Sequence, residues 1–243
     1  MKLDAENVLN RPCKPWSKVT PPTANLGQIA WDIDRALAKH EKHQAYWLEK
    51  NHSPIPPQIF KNHTKLWLEI GAGTGHFFVE LARLNPNSHL IAIERCKLRG
   101  RRLVKKITKS GLTNINAFRG NAIPALITAI PVASLDRIYI MYPCPWPRNS
   151  QRKNRWYLHP VMANLVRILK PGGKLIWASD QKFYIDEATF VCESKFKMKT
   201  LSQGPIEPNP YNDLAHFPGG RTKFEAGFLS SGSPCYELIS EKL

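Results

Sequence analysis

From Lys65 onward, short apolar runs alternate with longer amphipathic stretches. Lys65–Ile70, His89–Glu94, Ile115–Arg119, Leu135–Tyr142 and Lys174–Ser179 have strand length and strand composition. Between and after them, His76–Leu84, Lys97–Lys109, Pro124–Ile130, Pro160–Leu169 and Tyr184–Glu193 carry apolar residues at helical spacing. Strands alternating with helices in this way predict an α/β fold built on a parallel, doubly wound sheet. The tail breaks the rhythm, with a loop rich in Pro and Gly from Gln203 to Gly220 and a last strand expected at Cys235–Ser240.

The first 62 residues follow another pattern. Prolines at 12, 15, 21 and 22, and again at 54, 56 and 57, bracket a helical stretch over Asn25–Lys50, where Leu26, Ile29, Ile33 and Leu37 form one apolar stripe. Residues 1–62 are therefore expected to be an N-terminal arm and helix, packed on or hinged to a main domain at 63–243. Trp31 and Trp47 in that helix are expected to pack against the main domain, with stacking on bases as the alternative.

Composition narrows the function classes. With 42% hydrophobic and 22% charged residues, the chain can bury a sizeable core. It has no apolar run approaching the roughly 18 residues of a membrane span. Met1–Lys14 has no apolar core of a signal peptide. Five scattered cysteines without a CxxC pair suit reduced thiols in the cytoplasm. The formal net charge is +16, and the segment Arg95–Ser179 alone holds 17 lysines and arginines against one acid, Asp136. Because these cations are interleaved with Leu, Val, Ile and Trp, they read as a folded surface for a polyanion and not as a basic tail.

The candidate chemistry starts at Leu66-Trp-Leu-Glu-Ile-Gly-Ala-Gly-Thr-Gly75. Gly71, Gly73 and Gly75 follow the first strand, where a ligand must approach the backbone closely. The spacing is G-x-G-x-G, not the dinucleotide G-x-G-x-x-G. Glu69 just before it suits a cationic amino-acid moiety better than a phosphate. Glu94 ends the second strand and can accept hydrogen bonds from both hydroxyls of a ribose. Asn121-Ala122 follows the third strand, where an amide can meet an adenine edge. A nicotinamide site or a plain glycine turn is the alternative. Together these features resemble the S-adenosylmethionine site of class I methyltransferases, which implies that Glu69, the three glycines, Glu94, Asn121 and Ala122 hold that cofactor.

The strand Leu135–Tyr142 runs into Tyr142-Pro-Cys-Pro-Trp-Pro147, with Arg148, Arg152, Lys153 and Arg155 behind it. Three prolines stiffen this loop, Trp146 offers a flat face, and the cations suit a phosphate backbone. Leu169-Lys-Pro-Gly-Gly173, Ser179-Asp180 and Thr222-Lys-Phe-Glu225 follow in order. These blocks, from about Leu66 to the end, resemble the bacterial tRNA (guanine-N7)-methyltransferase family, whose loop reads P-D-P-W-P. The resemblance implies a mostly parallel, seven-stranded, Rossmann-like sheet with helices on both faces. It implies a tRNA-binding enzyme using S-adenosylmethionine; the thiols point to the cytoplasm, no metal is expected, and the sequence does not decide between monomer and homodimer. Arg148, Asp180, Thr222, Lys223, Phe224 and Glu225 would then meet the guanine and tRNA, with Cys144 standing in the place of the motif Asp and, with Asp180, at the catalytic position.

Guanine N7 has an in-plane lone pair and no proton to lose, so the transfer needs alignment and negative charge near the product cation, not a general base. Asp180 and Glu225 are the acids expected to meet the base. Two other readings remain. Pro143-Cys144 matches the place of the nucleophile in cytosine-C5 methyltransferases, whose thiolate would be favoured beside Arg148 and Arg152. A homologue that binds cofactor or tRNA with reduced or lost catalysis is the second. His40, His43, His52 and His63 read as solvated histidines. The basic stretch Lys97–Lys109 is a candidate for RNA contact through Arg101, Arg102 and Lys105.

Overall fold

Strands β1 (Leu66–Ile70) and β2 (His89–Glu94) are buried at every position, a pattern that suits strands covered by helices on both faces. They form the centre of the fold in a computed structural model that describes residues 25–50, 53, 55–61, 65–206 and 219–243. Most of the expected Gln203–Gly220 loop, the arm before Asn25, and His52 and His63 lie outside the described residues.

With β3 (Ile115–Arg119), β4 (Leu135–Met141), β5 (Leu169–Ser179), β6 (Lys199–Pro205) and β7 (Tyr236–Glu241), they make a seven-stranded sheet ordered β3-β2-β1-β4-β5-β7-β6. β1 to β5 pair in parallel, and β7 runs antiparallel to both β5 and β6. Six strands fall at or near their expected places. β6 does not, because it is a mostly exposed edge strand of mainly polar residues and has no apolar face to betray it.

The helices are α1 (Leu26–Leu37), α2 (His40–Lys50), α3 (His76–Leu84), α4 (Lys97–Ser110), α5 (Ala122–Thr128), α6 (Met162–Ile168), α7 (Lys182–Phe196) and α8 (Lys223–Ser230). The helical stretch expected over Asn25–Lys50 is thus two helices. Asn25 caps the first by accepting from the Gln28 N–H at 3.0 Å. On α1, Ile29 and Ile33 are buried, whereas Leu26 is 43% exposed.

Each face of the sheet carries its own core. On one, Ile29, Ile33 and Ala36 of α1 join Leu126, Leu165 and Ile185 against Leu68, Ile138 and Trp177. On the other, Phe78 of α3, Leu103 of α4 and Phe228 of α8 pack on Leu90, Tyr139 and Ile176. Ion pairs from Asp34 to Lys195 at 2.7 Å and from Asp32 to Arg152 at 3.0 Å fasten α1 from outside. Trp31 departs from expectation. It is 53% exposed, with Arg35 lying 4.6 Å over its ring.

Parallel strands all end at one edge, and the loops after β1, β2, β3 and β4 gather there at the reversal of strand order. In open α/β sheets this crevice is where ligands bind. None of the described helices is long and apolar enough to cross a membrane.

Candidate active site

A cavity of about 1320 Å³ opens at that edge, larger than the ~300–1,000 Å³ common for a single small ligand. Its lining includes Glu69, Gly71, Gly73, Glu94, Asn121, Ala122, Cys144, Thr222, Lys223 and Phe224. The other site residues expected from the sequence, Gly75, Arg148, Asp180 and Glu225, are not on its wall.

The glycine turn forms the cavity's cradle. Gly71, Gly73 and Gly75 have φ of 83°, 58° and 75°, a region unfavourable to residues with a side chain. A Cβ on Gly71 or Gly73 would meet nothing within 4 Å, but one on Gly75 would stand 2.4 Å from Leu103 Cδ1. Gly75 therefore allows α3 to pack closely on α4.

Two carboxylates flank the cradle. Glu94 accepts from the Gly73 N–H at 2.8 Å through one oxygen, and from the Cys96 N–H at 2.7 Å through the other. Arg99 adds a contact to that second oxygen at 3.4 Å. The oxygen facing Gly73 keeps acceptor capacity. Glu69 is 3% exposed, and its Oε2 has no hydrogen-bond partner. Burial, then the charge of Glu94, pushes its carboxyl up to about 8. Asn121 caps α5 by accepting from the Ile123 N–H at 3.2 Å.

The loop after β4 is held in an unfavourable conformation. Tyr142 and Trp146 have φ of 52° and 47°, and strain of this kind persists only where surroundings enforce it. Arg155 is part of that enforcement. Fully buried, it donates to the Trp146 carbonyl at 3.0 and 3.2 Å and pairs with Glu187 at 2.5 Å. Tyr157 donates to the same Glu187 oxygen at 2.6 Å. The expected phosphate-facing cluster is therefore smaller than its sequence suggests. Arg155 is interior and Arg152 is paired with Asp32, while Arg148 and Lys153 stay exposed.

The Thr222–Glu225 block is a helix cap. Thr222 accepts from the Glu225 N–H at 3.0 Å, the first half of a T-x-x-E capping box. The Glu225 side chain is fully buried and accepts from the Arg221 N–H at 2.8 Å, the Arg221 guanidinium at 2.8 and 2.9 Å and the Tyr142 hydroxyl at 2.6 Å. Arg221 also bonds Glu237. Burial alone would raise the Glu225 carboxyl, but the Arg221 bonds and charge outweigh it and hold it below its ordinary value. Glu225 lies behind the cavity wall, with its oxygens committed to Arg221 and Tyr142. Tyr142, which the sequence reading passed over, lines the cavity in its place and stacks on Phe224 with centroids 6.1 Å apart.

Asp180 follows β5, with its carboxylate accepting from the Gln181 amide at 2.7 Å and raised above its ordinary range by burial. Cys144 is exposed on the cavity wall, and burial of its sulfur raises the thiol. The nucleophile reading needed the opposite shift, driven by Arg148 and Arg152, and Arg152 is engaged with Asp32.

The cavity wall also includes Trp156 and His159, which belong to none of the motifs. His43 of α2 packs its ring 5.0 Å from that of His159, and Trp47 donates to His43 at 3.1 Å. Burial, then His43, lowers the His159 imidazole to about 4. His40 donates through Nδ1 to the Pro160 carbonyl at 3.0 Å. His40 and His43 are thus structural partners of the wall. Among the described residues, no group of three or more His, Cys, Asp or Glu is placed to hold a metal ion.

A glycine cradle after β1, an acid ending β2, a cavity at the strand-order reversal and a seven-stranded sheet with β7 reversed define the class I methyltransferase fold. The solved 30S ribosomal A1408 methyltransferase from an uncultured bacterium shares it, with a TM-score of 0.56 at 15% identity over 79% of this chain and 96% of that one. Residues 63–238 match the family described as "Putative methyltransferase". The chain is 30% identical over 199 residues to the tRNA (guanine-N(7)-)-methyltransferase of Paracidovorax citrulli, covering 81% of this chain and 76% of the relative. It is 31% identical over 199 residues to that of Hyphomonas neptunium, covering 81% and 88%. The chain belongs to the tRNA (guanine-N7)-methyltransferase family.

Proposed function

We propose that this chain transfers a methyl group from S-adenosylmethionine to N7 of a guanine in tRNA, as a cytoplasmic RNA-modifying enzyme. The observation that carries the reading is the buried, partnerless carboxylate oxygen of Glu69 beside an open glycine cradle, within a chain of this family. The residues fit the cofactor. Glu69 would receive its ammonium group, Glu94 its ribose, Asn121 and Ala122 its adenine, and Gly71 and Gly73 would let it lie against the backbone. Bound there, the cofactor supplies an electrophilic methyl group on a sulfonium.

The chain's own residues supply alignment and charge. Guanine N7 attacks through a lone pair, so no side chain has to remove a proton. The Tyr142–Phe224 stack and Trp146 offer faces for the base, with the Arg155–Glu187 pair holding the loop that carries Trp146. Arg221 and Glu225 hold Tyr142 and the start of α8 from behind. Asp180, just after β5 and off the cavity wall, would favour the cationic methylated guanine through its negative charge when ionised. Cys144, in the place of the motif Asp, contacts the substrate as a neutral thiol.

Incubating the full chain with unmodified tRNA transcripts and labelled cofactor, then separating the nucleosides, tests this. 7-Methylguanosine is expected. Label in 5-methylcytidine, or none with a protein that binds the cofactor, would overturn it.

A further inference from the structure

We propose that His76, Lys106 and Lys223 form a phosphodiester-binding notch on the cavity rim, which seats the RNA backbone beside the methylated base. This rests on the tRNA substrate proposed above and adds His76 and Lys106, which no motif names, to Lys223 of the Thr222–Glu225 block.

Three elements converge here. His76 opens α3 just after the glycine turn, Lys223 opens α8, and both line the cavity. Lys106 reaches across from α4, and its ammonium donates to His76 Nδ1 at 3.3 Å. His76 therefore carries its hydrogen on Nε2, a further donor beside two ammonium groups. Burial, followed by Lys106 and Lys223, lowers the His76 imidazole, and burial followed by Lys223 lowers Lys106. The acid facing the cluster is Glu80, whose two oxygens already hold Arg83 at 3.2 Å. Among the described residues, then, like charges meet without a dedicated counter-charge, an arrangement that a bound anion relieves.

The shape favours a polymer over a single carboxylate. Arg95 and Arg99 line the same cavity. Helical spacing puts Arg99, Arg102 and Lys106 along one edge of α4, beside the buried Gly100, Leu103 and Ile107. That edge extends about 10 Å along the helix axis, too long for the carboxylate of an amino acid. Arg101 projects from the other side of the helix.

The test compares wild type with Lys106→Ala, Lys106→Arg and Arg101→Ala. It measures tRNA binding by gel shift across a salt series, KM for tRNA, and cofactor affinity by calorimetry. Lys106→Ala is expected to weaken tRNA binding roughly tenfold, as for one lost charge-assisted contact. The salt slope should fall by about 0.7–0.9. Lys106→Arg should recover most of the loss, cofactor affinity should hold, and Arg101→Ala should do much less. An unchanged slope in Lys106→Ala, an equal loss in Arg101→Ala, or weaker cofactor binding with intact tRNA binding would each overturn the notch. The gel shift reads the notch even if wild type proves unable to methylate tRNA, an outcome that would count against the proposed function instead.

Discussion

If Glu69 receives the cofactor's ammonium group, as proposed, cofactor binding becomes a protonic event. Its carboxyl rises from 4.5 to about 8 through burial and the charge of Glu94, so at pH 7 about 90% of the free protein carries a proton there. Ionising it in place costs on the order of 5 kcal/mol relative to water. The cofactor's α-amino group has an ordinary pKa of about 7.7–8.0. Once ammonium and carboxylate meet, the pair keeps one proton between them. Binding should therefore release about 0.8 proton near pH 7 and take up a similar amount near pH 9, with the sign changing close to pH 8. Calorimetry in buffers of different ionisation enthalpy reads this number directly.

Glu69→Gln separates function from stability at the same site. It should lose the proton release and weaken cofactor binding by about 10- to 100-fold, the range for a hydrogen bond to a charged group. Because the folded carboxyl is raised, the folded state binds a proton that the unfolded chain lacks between pH 4.5 and about 8, and stability from this group falls as pH rises through that window. Removing the acid should raise the melting temperature at pH 7, with up to about 3 kcal/mol at stake. No proton release at pH 6.5–7, or wild-type affinity in Glu69→Gln, would refute the role given to this carboxylate.

Arg155→Ala should lose about 3–5 kcal/mol in chemical denaturation, because Glu187 would be left buried and unpaired, and Glu187→Gln in the same chain should recover part of it. Gly75→Ala should cost about 1–3 kcal/mol from its positive φ and the contact with Leu103. Leu103→Ala in the same chain should relieve the contact but not the backbone strain, so the two losses should not add. Cys144→Ser should turn over within a few-fold of wild type, with no covalent RNA adduct by mass spectrometry in either protein. A dead Ser variant together with a trapped adduct would reinstate the nucleophile.

The parts of this protein legible in its sequence are those whose physics is local. β1 and β2 are mostly apolar and buried throughout because helices cover both faces, and Gly71, Gly73, Glu69 and Glu94 announce a cradle because backbone geometry leaves few substitutes. β6 was invisible, since an edge strand pairs through its backbone and leaves mainly polar side chains outside. Thr222–Glu225 shows a different kind of opacity. The same four residues read as a substrate block and as a helix cap, and only the burial of Arg221 beside them separates Lys223 and Phe224, on the cavity wall, from Glu225 behind it.

The central basic segment is the strongest case, because counting charge along a chain does not reveal where each charge is answered. Within Arg95–Ser179, Arg155 is answered by Glu187, Arg152 by Asp32, Lys170 by Asp136 at 2.9 Å, and Arg167 by the Leu126 carbonyl at 2.9 Å. Arg137 lies 4.3 Å over Trp67. These cations fasten helices and loops to the sheet, so they are removed from any surface offered to RNA. Of the cations that remain, Arg95 and Arg99 line the cavity, Arg148 and Lys153 sit on the loop after β4, the others of α4 continue along that helix, and Arg119 and Lys174 stand on β3 and β5. On the proposed function, a tRNA substrate would meet only part of the surplus, so its binding should depend on a few residues at the cavity rim more than on the net charge of +16.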